Sequence, residues 1–342
     1  MTLSGTAPRA PRAPPPAFAS VAARRALVTG AGGFAGQWLC RELVRTGWDV
    51  TGSSLVGAPA PGILSVDEHV LVRWRRDDLL HAGSVRGAVD DAMPDVIFHL
   101  AAVSFVPAAG RAPALALDTN VGIAVQLLDV VEERRAAGTL DPVVLIVGSG
   151  EQYGRHEASA LPLTEAAECR PFSPYAASKM AQEQFALAAF RRANVRVVCT
   201  RSFNHSGRGQ STDFVIPGLV QRVVAAARAG DRTVTIGNTS VARDFLHVED
   251  VARAYVALVE HGLPGEVYNV SSGVAVTIGD LAAQVAAIVS APVEFTPDPA
   301  LQRAADLPHL SGSPQRLHAD TGWTARLGLK DVIRDVVAAE MA

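Results

Sequence analysis

The sequence predicts an α/β protein with a doubly wound parallel sheet and a smaller C-terminal region. From residue 25 to about residue 203, short apolar runs alternate with helical patterns, the order expected for parallel strands joined by helices. The first run, Arg25–Thr29, leads into a glycine-rich turn and then a helix. After about residue 204 the elements are shorter and more interrupted. Together these observations favour a Rossmann-like sheet that carries a smaller appended region.

Composition narrows the class of protein and excludes several partners. The 342 residues are 49% hydrophobic and 19% charged, which provides for a sizeable core. A formal net charge of -3 without a basic block argues against nucleic acid as a partner. No apolar run reaches about 18 residues, so we expect no membrane span. The three cysteines share no metal-ligand spacing, so we expect no metal site, and without a signal peptide they indicate a reducing, cytoplasmic setting.

The glycine turn after the first strand predicts a dinucleotide site. Gly30, Gly33 and Gly36 stand between that strand and a helical pattern from Gln37 to Thr46. Gly30 permits a sharp turn, Gly33 lets the backbone approach a pyrophosphate, and Gly36 lets the helix pack closely on the strand. The helix N-terminus then faces the anion.

The residues that follow the second strand, Trp48–Gly52, indicate which dinucleotide binds. An NAD-selective site usually has an acidic residue near its end, bonded to the ribose 2′-hydroxyl. This chain has Ser53 and Ser54 there, whose hydroxyls could donate to a 2′-phosphate. The sequence therefore favours NADP(H). NAD(H) stays open, because no arginine follows the strand immediately.

Two more strand ends are predicted to line the cofactor. Val70–Trp74 is read as the third strand and Asp95–Ala102 as the fourth strand with its exit. An Asp-Leu pair after the third strand can lie beside the adenine of the cofactor, although a helix cap explains Asp77 equally well. Small residues after the fourth strand leave room for the backbone of the cofactor. The predicted contacts are Asp78, Leu79, Leu100, Ala101 and Ala102. We expect His99 to be a packed, hydrogen-bonded histidine rather than a base.

The stretch from Val143 to Lys179 carries the predicted chemistry. The apolar strand Val143–Val147 leads to Ser149, and a later helix bears Tyr175 and Lys179. Residues four apart share a helix face, so the ammonium is expected to lower the phenol's pKa from its usual value of about 10. Ser149 can bond a carbonyl oxygen while Tyr175 supplies its proton. The chain has two lysines against 29 arginines, so an ammonium at this position indicates a need for a compact charge.

Glu151 lies two residues beyond Ser149. It could polarise the substrate or act as a base on a carbon next to a ketone, and a solvated loop glutamate is the alternative. The predicted helix Ala114–Ala137 contains Asn120 among apolar neighbours, where we expect it to bond backbone near the active strand.

The second half is predicted to supply substrate contacts. A polar loop follows the sixth strand, and such loops bind ligands in open sheets. Arg243 and Arg303 could each pair with a diphosphate, which suits a bidentate guanidinium. The predicted elements are a strand at Arg196–Thr200, helices at Phe214–Ala229, Val248–Glu260 and Thr277–Ser290, strands at Thr233–Ile236 and Val267–Val270, and a last helix from Lys330.

These motifs resemble the extended short-chain dehydrogenase/reductase family of nucleotide-sugar enzymes. The residues that carry the resemblance are Thr29–Gly36 (Phe34 included), His99–Ala102, Ser149 with Tyr153-Gly154, and Tyr175–Lys179. The resemblance implies an NAD(P) cofactor that contacts Phe34, Tyr175 and Lys179, and a catalytic set of Ser149, Tyr175 and Lys179. It also implies a homodimer formed through two helices of each subunit, around residues 114–137 and 175–191.

The second half is similar to the GDP-mannose branch of that family. The similarity lies in Arg201–Ser211, Arg243-Asp244-Phe245 and Val267–Gly273. It implies that a GDP-linked sugar is held by Ser104, Asn204, Phe214, Val215, Arg243 and Arg303. We predict that residues 1–24, which are rich in Ala, Pro and Arg, form a disordered tail. Residues 25–203, completed by about 245–270, are predicted to form the NAD(P)-binding domain. Residues 204–244 and 271–342 are predicted to form the substrate-binding region.

The resemblance implies reduction of the C4 ketone of a GDP-4-keto-6-deoxy-hexose, giving GDP-rhamnose or its C4 epimer. GDP-mannose 4,6-dehydratase is the alternative, because it would use the same three residues and Glu151 as the C5 base. Another nucleotide-sugar epimerase or dehydratase, or a non-catalytic nucleotide sensor, is disfavoured. A sensor commonly loses the tyrosine or the lysine, and this chain keeps both.

Overall fold

A computed structural model describes residues 24–60, 62–301 and 307–342, so residues 1–23 of the predicted tail lie outside the described residues. Its strands are β1 (Arg25–Thr29), β2 (Asp49–Ser54), β3 (Val72–Arg76), β4 (Val96–His99), β5 (Val143–Ser149), β6 (Arg196–Ser202), β7 (Asn204–Ser206), β8 (Thr233–Ile236), β9 (Ala242–His247), β10 (Val267–Val270), β11 (Ala275–Thr277), β12 (Glu294–Pro297) and β13 (His309–Leu310). Its α-helices are α1 (Phe34–Arg45), α2 (Val66–Val70), α3 (Ser84–Ala92), α4 (Val106–Arg111), α5 (Pro113–Leu117), α6 (Ile123–Ala136), α7 (Pro174–Ala193), α8 (Val215–Ala229), α9 (Val248–His261), α10 (Ile278–Val289), α11 (Gln315–Thr321) and α12 (Leu329–Met341).

The main sheet has seven parallel strands in the order β3-β2-β1-β4-β5-β6-β10. Its strands read as continuous apolar runs because helices cover both faces. Side chains of α1 and α9, such as Leu39 and Tyr255, pack on one face, and those of α3, α6 and α7, such as Val89 and Leu127, pack on the other. The doubly wound Rossmann-like sheet predicted from the sequence is confirmed.

Two predicted elements differ from the structure. The third strand begins at Val72 rather than Val70, because a capping box between Ser65 and Glu68 starts α2, which runs to Val70. The predicted helix over 114–137 is interrupted by a π-helical turn at Asp118–Gly122. By length and composition the run Pro113–Ala136 could cross a membrane, but half of its most apolar stretch is buried in the fold, as in the core helix of a soluble protein.

The π-helical turn places Asn120 between the sheet and α7. The Asn120 side chain accepts a bond from the Val103 N–H at 2.7 Å and donates to the Ser178 hydroxyl at 2.9 Å. Ser178 in turn donates to the Tyr175 carbonyl at 2.8 Å. Asn120 therefore bonds backbone beside the fourth strand, as expected, and also links that strand to the helix that bears Tyr175.

The remaining elements form a smaller assembly beside the carboxyl ends of the main strands. In it, β9 pairs with β7, β11 and β13, β8 pairs with β12, and α8, α10 and α12 enclose an apolar core. The helix α9 and strand β10 return to the main sheet. The division into cofactor-binding and substrate-binding regions stays a prediction.

Asp244 holds the smaller assembly to the loop after β10. Its buried carboxylate accepts bonds from the N–H groups of Ser272 at 2.8 Å and Gly273 at 3.0 Å, and from the Ser272 hydroxyl at 2.6 Å. We expect Asp244→Ala to lower the free energy of unfolding by at least about 3 kcal/mol, because each buried donor that is left without an acceptor costs about 1–3 kcal/mol. Urea unfolding of the variant beside Asp231→Ala, an exposed aspartate in the loop after α8, checks this, and equal losses would contradict it.

Candidate active site

A cavity of about 880 Å³ lies at the carboxyl ends of the main strands, between the sheet and the smaller assembly. Parallel α/β sheets bind ligands at this edge. The lining includes the predicted site residues Gly30, Gly33, Phe34, Gly36, Ser53, Asp78, Leu79, Leu100, Ala101, Ala102, Ser104, Ser149, Glu151, Tyr175, Lys179, Asn204, Phe214, Val215 and Arg243. Arg303 lies outside the described residues. The structure therefore gathers these side chains, and their roles stay predictions.

The glycine turn is shaped as a cradle for a pyrophosphate. Gly30 has φ 71°, and a Cβ there would lie 2.8 Å from the Ala101 nitrogen. A Cβ on Gly36 would overlap the Gly30 carbonyl oxygen. The helix α1 starts at Phe34 without a capping side chain or an acid in its first turn. Its positive end therefore faces the cavity without compensation, which suits an anion.

The end of β2 carries a buried hydroxyl that also suits a dinucleotide. Ser53 is fully buried, and its Oγ has no hydrogen-bond partner among the described residues. Buried polar atoms are nearly always bonded, so this hydroxyl fits a ribose or 2′-phosphate oxygen. The nearby Asp77 is held by Arg75 at 3.1 Å, and Asp78 caps the Leu80 N–H at 3.1 Å.

Ser149 and Tyr175 both line the cavity, and the serine hydroxyl is close enough to act on the pKa of the phenol. Ser149 ends β5, and its Oγ also accepts a bond from the Glu151 N–H at 3.2 Å. Burial raises the pKa of Tyr175 to about 12, the bond from Ser149 lowers the pKa, and the charge of Glu151 raises it. The predicted lowering of the phenol's pKa by Lys179 is therefore wrong for this arrangement, in which burial outweighs the Ser149 bond.

Lys179 directs its amine towards β5. Its Nζ donates to the Val147 carbonyl at 2.8 Å and to the Gln182 Oε1 at 2.9 Å. Burial lowers the pKa of Lys179 to about 7. Burial, followed by the Lys179 charge, lowers the pKa of His99 to about 3. His99 is bonded to the Thr29 hydroxyl at 2.8 Å, so it is a packed, neutral histidine as expected.

The sequence did not predict a buried network of side-chain hydrogen bonds behind Ser149. The Gln152 side chain accepts from the Ser149 N–H at 2.8 Å and donates to Glu183 at 2.9 Å. Glu183 is also paired with Arg201 through bonds of 2.9 and 2.7 Å. This hydrogen-bond network links the end of β5 to α7 and β6. Its one sequence signal is a glutamate four residues after Lys179 within a helix that is otherwise buried there.

The substrate end of the cavity is formed by β7, β9 and the start of α8. Phe214 precedes α8 and packs edge-on against Phe105, with ring centroids 5.6 Å apart. Asn204 begins β7. Arg243 is 7% exposed, and its guanidinium donates to the Leu307 carbonyl at 2.6 Å. A second arginine, Arg222 of α8, also lines the cavity and was missed, because nothing distinguishes it from surface arginines in the sequence.

Comparisons with known proteins agree with this geometry. The family described as GDP-mannose 4,6 dehydratase matches residues 27–336. GDP-6-deoxy-D-mannose reductase from Pseudomonas aeruginosa is 35% identical over 317 residues, which cover 92% of this chain and 96% of that protein.

Solved structures give the same result. The structure of RMD from Pseudomonas aeruginosa complexed with NADPH matches with a TM-score of 0.77 and 31% identity, over 92% of this chain and 98% of that one. Thermus thermophilus UDP-glucose 4-epimerase in complex with NAD matches with a TM-score of 0.80 and 26% identity, over 93% of this chain and 99% of that one.

Proposed function

Because this chain belongs to the GDP-mannose 4,6-dehydratase family of nucleotide-sugar enzymes, within the extended short-chain dehydrogenases/reductases, we propose that it reduces the C4 ketone of a GDP-4-keto-6-deoxy-hexose. The observation that carries the proposal is that Ser149, Tyr175 and Lys179 line one cavity together with the glycine turn and Arg243. The product is a GDP-6-deoxy-hexose, GDP-rhamnose or its C4 epimer. The similarity to GDP-6-deoxy-D-mannose reductase supports this choice within the family.

The cavity fits NADP(H), which we favour as the hydride donor, with NAD(H) as the alternative. The cradle at Gly30 and Gly36 would hold the pyrophosphate, and the unpartnered Ser53 hydroxyl would meet the adenosine ribose or its 2′-phosphate. When bound, the reduced nicotinamide supplies a hydride to the ketone carbon. The solved relatives carry both kinds of cofactor, NADPH in RMD and NAD in the epimerase.

The chain's own residues supply the proton and the polarisation. Ser149 donates a hydrogen bond to the ketone oxygen and orients it, and Tyr175 gives that oxygen its proton as the C–O bond becomes single. A phenol with a pKa of about 12 stays protonated at neutral pH, so it is ready to act as an acid. Lys179 lines the same cavity, and its pKa of about 7 lets it return a proton to the phenolate.

The alternative is a GDP-mannose 4,6-dehydratase, and Glu151 is the residue that favours it. Its carboxylate is close enough to raise the pKa of Tyr175, so it could take a proton from C5 of the same sugar. The test is to incubate the protein with GDP-mannose alone, and with GDP-4-keto-6-deoxy-mannose plus NADPH. We expect stoichiometric loss of NADPH absorbance in the second mixture. Conversion of GDP-mannose without net cofactor change would instead establish the dehydratase.

Glu151→Gln separates the two activities further. A reduction needs no carbon base, so we expect the variant to keep NADPH oxidation within about tenfold of wild type. A dehydratase would lose about 10²–10⁴-fold with its base. Glu157→Gln, an exposed glutamate outside the cavity lining, is the control, and the rate is read from NADPH absorbance with the keto sugar.

We also propose that the protein is a cytoplasmic homodimer. The family resemblance implies an interface through α7 and the α5–α6 run. Exposed apolar side chains on these segments, Leu115, Leu117 and Phe185, support that face. Light scattering with size-exclusion chromatography tests the assembly, and Phe185→Asp would produce monomers if α7 forms the interface.

A further inference from the structure

Arg222 is a cavity-lining cation without an ion-pair partner among the residues that the structure describes. Its Nε is buried and has no hydrogen-bond partner in the described parts of the chain. The pKa of Arg222 is lowered, and burial is the one cause. Arg222 is half-buried, and an Nε that is shielded from water without a bond suits an anion that enters the cavity.

Other arginines with a buried, unbonded Nε differ in this respect. Arg41 lies 3.8 Å from Glu68 and 3.9 Å from Glu249, and Arg196 lies 3.5 Å from Asp141. Arg208 lies over the ring of Trp38 and acts on the charge of Asp335. Arg222 has neither kind of partner among the residues the structure describes, which separates it from arginines that serve packing or surface ion pairs.

The position of Arg222 indicates which part of a ligand it meets. Its NH1 atom lies 3.5 Å from where a Cβ of Gly218 would be, so the guanidinium lies against the preceding turn of α8, towards Phe214. Arg243 lines the same cavity from β9, although part of its guanidinium is committed to the Ala242 and Leu307 carbonyls. Two guanidinium groups therefore line one cavity, Arg222 from α8 and Arg243 from β9.

The rest of the lining at this end is mainly apolar. It includes Leu219, Ile236, Val241, Phe245 and Ile278, which suit a flat, uncharged ring system rather than a second charged group. Asp213, an acid of this lining, accepts a bond from the Ser211 hydroxyl at 2.9 Å and does not appear among the charges that act on Arg222.

We propose that Arg222 binds the diphosphate of a nucleoside diphosphate sugar, opposite Arg243; this rests on the proposed function for the identity of the sugar nucleotide. A guanidinium forms two parallel bonds to phosphate oxygens, and these bonds are strong in a partly desolvated site. Arg222 is thus a substrate-binding residue, and its charge is matched when the substrate binds.

The test is to titrate GDP, GMP and guanosine into the NADPH-loaded protein by calorimetry. We expect Arg222→Gln to weaken GDP binding by at least about tenfold, which is about 1.4 kcal/mol, and to leave guanosine binding unchanged. Arg222→Lys should recover part of the loss, since it restores the charge without the bidentate geometry. Arg228→Gln, an exposed arginine in the last turn of α8, is the matched control.

The outcomes separate the two proposals. Unchanged GDP binding in Arg222→Gln, or an equal loss with guanosine, would overturn the role of Arg222 in diphosphate binding. If the wild type binds UDP in place of GDP and Arg222→Gln weakens UDP, the diphosphate role is supported and the guanine assignment fails. NADPH affinity and the melting temperature serve as folding controls, and a collapse of both in Arg222→Gln would count against a substrate role.

Discussion

Tyr175→Phe is expected to lower kcat by about 10²–10⁴-fold, the usual contribution of a positioned general acid. The substitution removes one oxygen atom and leaves the ring in its packing against Ala109 and Ala116. Binding of NADPH should therefore persist, because the glycine turn and Ser53 are untouched. NADPH oxidation with the keto sugar measures kcat, and fluorescence titration of NADPH measures binding.

Tyr268→Phe is the matched control for Tyr175→Phe. Its hydroxyl is also bonded, to Asp320 at 2.7 Å and to the Leu263 N–H at 2.9 Å, but it lies on β10 outside the cavity lining. We expect this variant to lose some stability and keep its kcat. Full activity in Tyr175→Phe would refute the assignment of Tyr175 as the acid, whatever the control shows.

Buried parallel strands were the elements best predicted from the sequence. β1, β8 and β10 have the predicted bounds. β1 and β10 are mainly buried, and β8 alternates exposed threonines with a buried Val and Ile. The start of β3 was misplaced because Val70 continues the apolar run, whereas in the structure Val70 is the last residue of α2, the helix that starts at the Ser65 capping box. The capping box started a helix in a segment where the apolar pattern alone predicts that the strand begins.

Tertiary contacts explain what could not be predicted. The π-helical turn is accompanied by bonds from Asn120 to Val103 and Ser178, which are distant in the chain. The bonds among Gln152, Glu183 and Arg201 likewise depend on how α7 and β6 pack. Spacing placed Tyr175 and Lys179 on one helix face, but it could not show that the lysine amine bonds the Val147 carbonyl. The sign of the phenol's pKa shift was missed because burial of Tyr175, which depends on tertiary packing, raises that pKa.

The second large effect is expected for Lys179→Met, which should reduce turnover by at least about 10²-fold by removing the amine that returns a proton to Tyr175. The same variant should change how stability depends on pH. Burial lowers the pKa of Lys179 to about 7, against a usual value of 10.5. Between these values the unfolded chain holds a proton that the folded chain has released.

Stability of the wild type therefore rises with pH across this window, relative to the variant, by up to about 1.4 kcal/mol per pH unit. Below about pH 7 both states are protonated and the penalty for burying the charge is constant. Loss of the bond to the Val147 carbonyl is independent of pH, so the slope isolates the titration of Lys179 from general damage to the core. Urea unfolding at pH 7 and pH 9.5 measures it, with Lys330→Met, the exposed second lysine, as control. Equal slopes in wild type and Lys179→Met would show that Lys179 keeps an ordinary pKa, and would remove the basis for its returning a proton to Tyr175 at neutral pH.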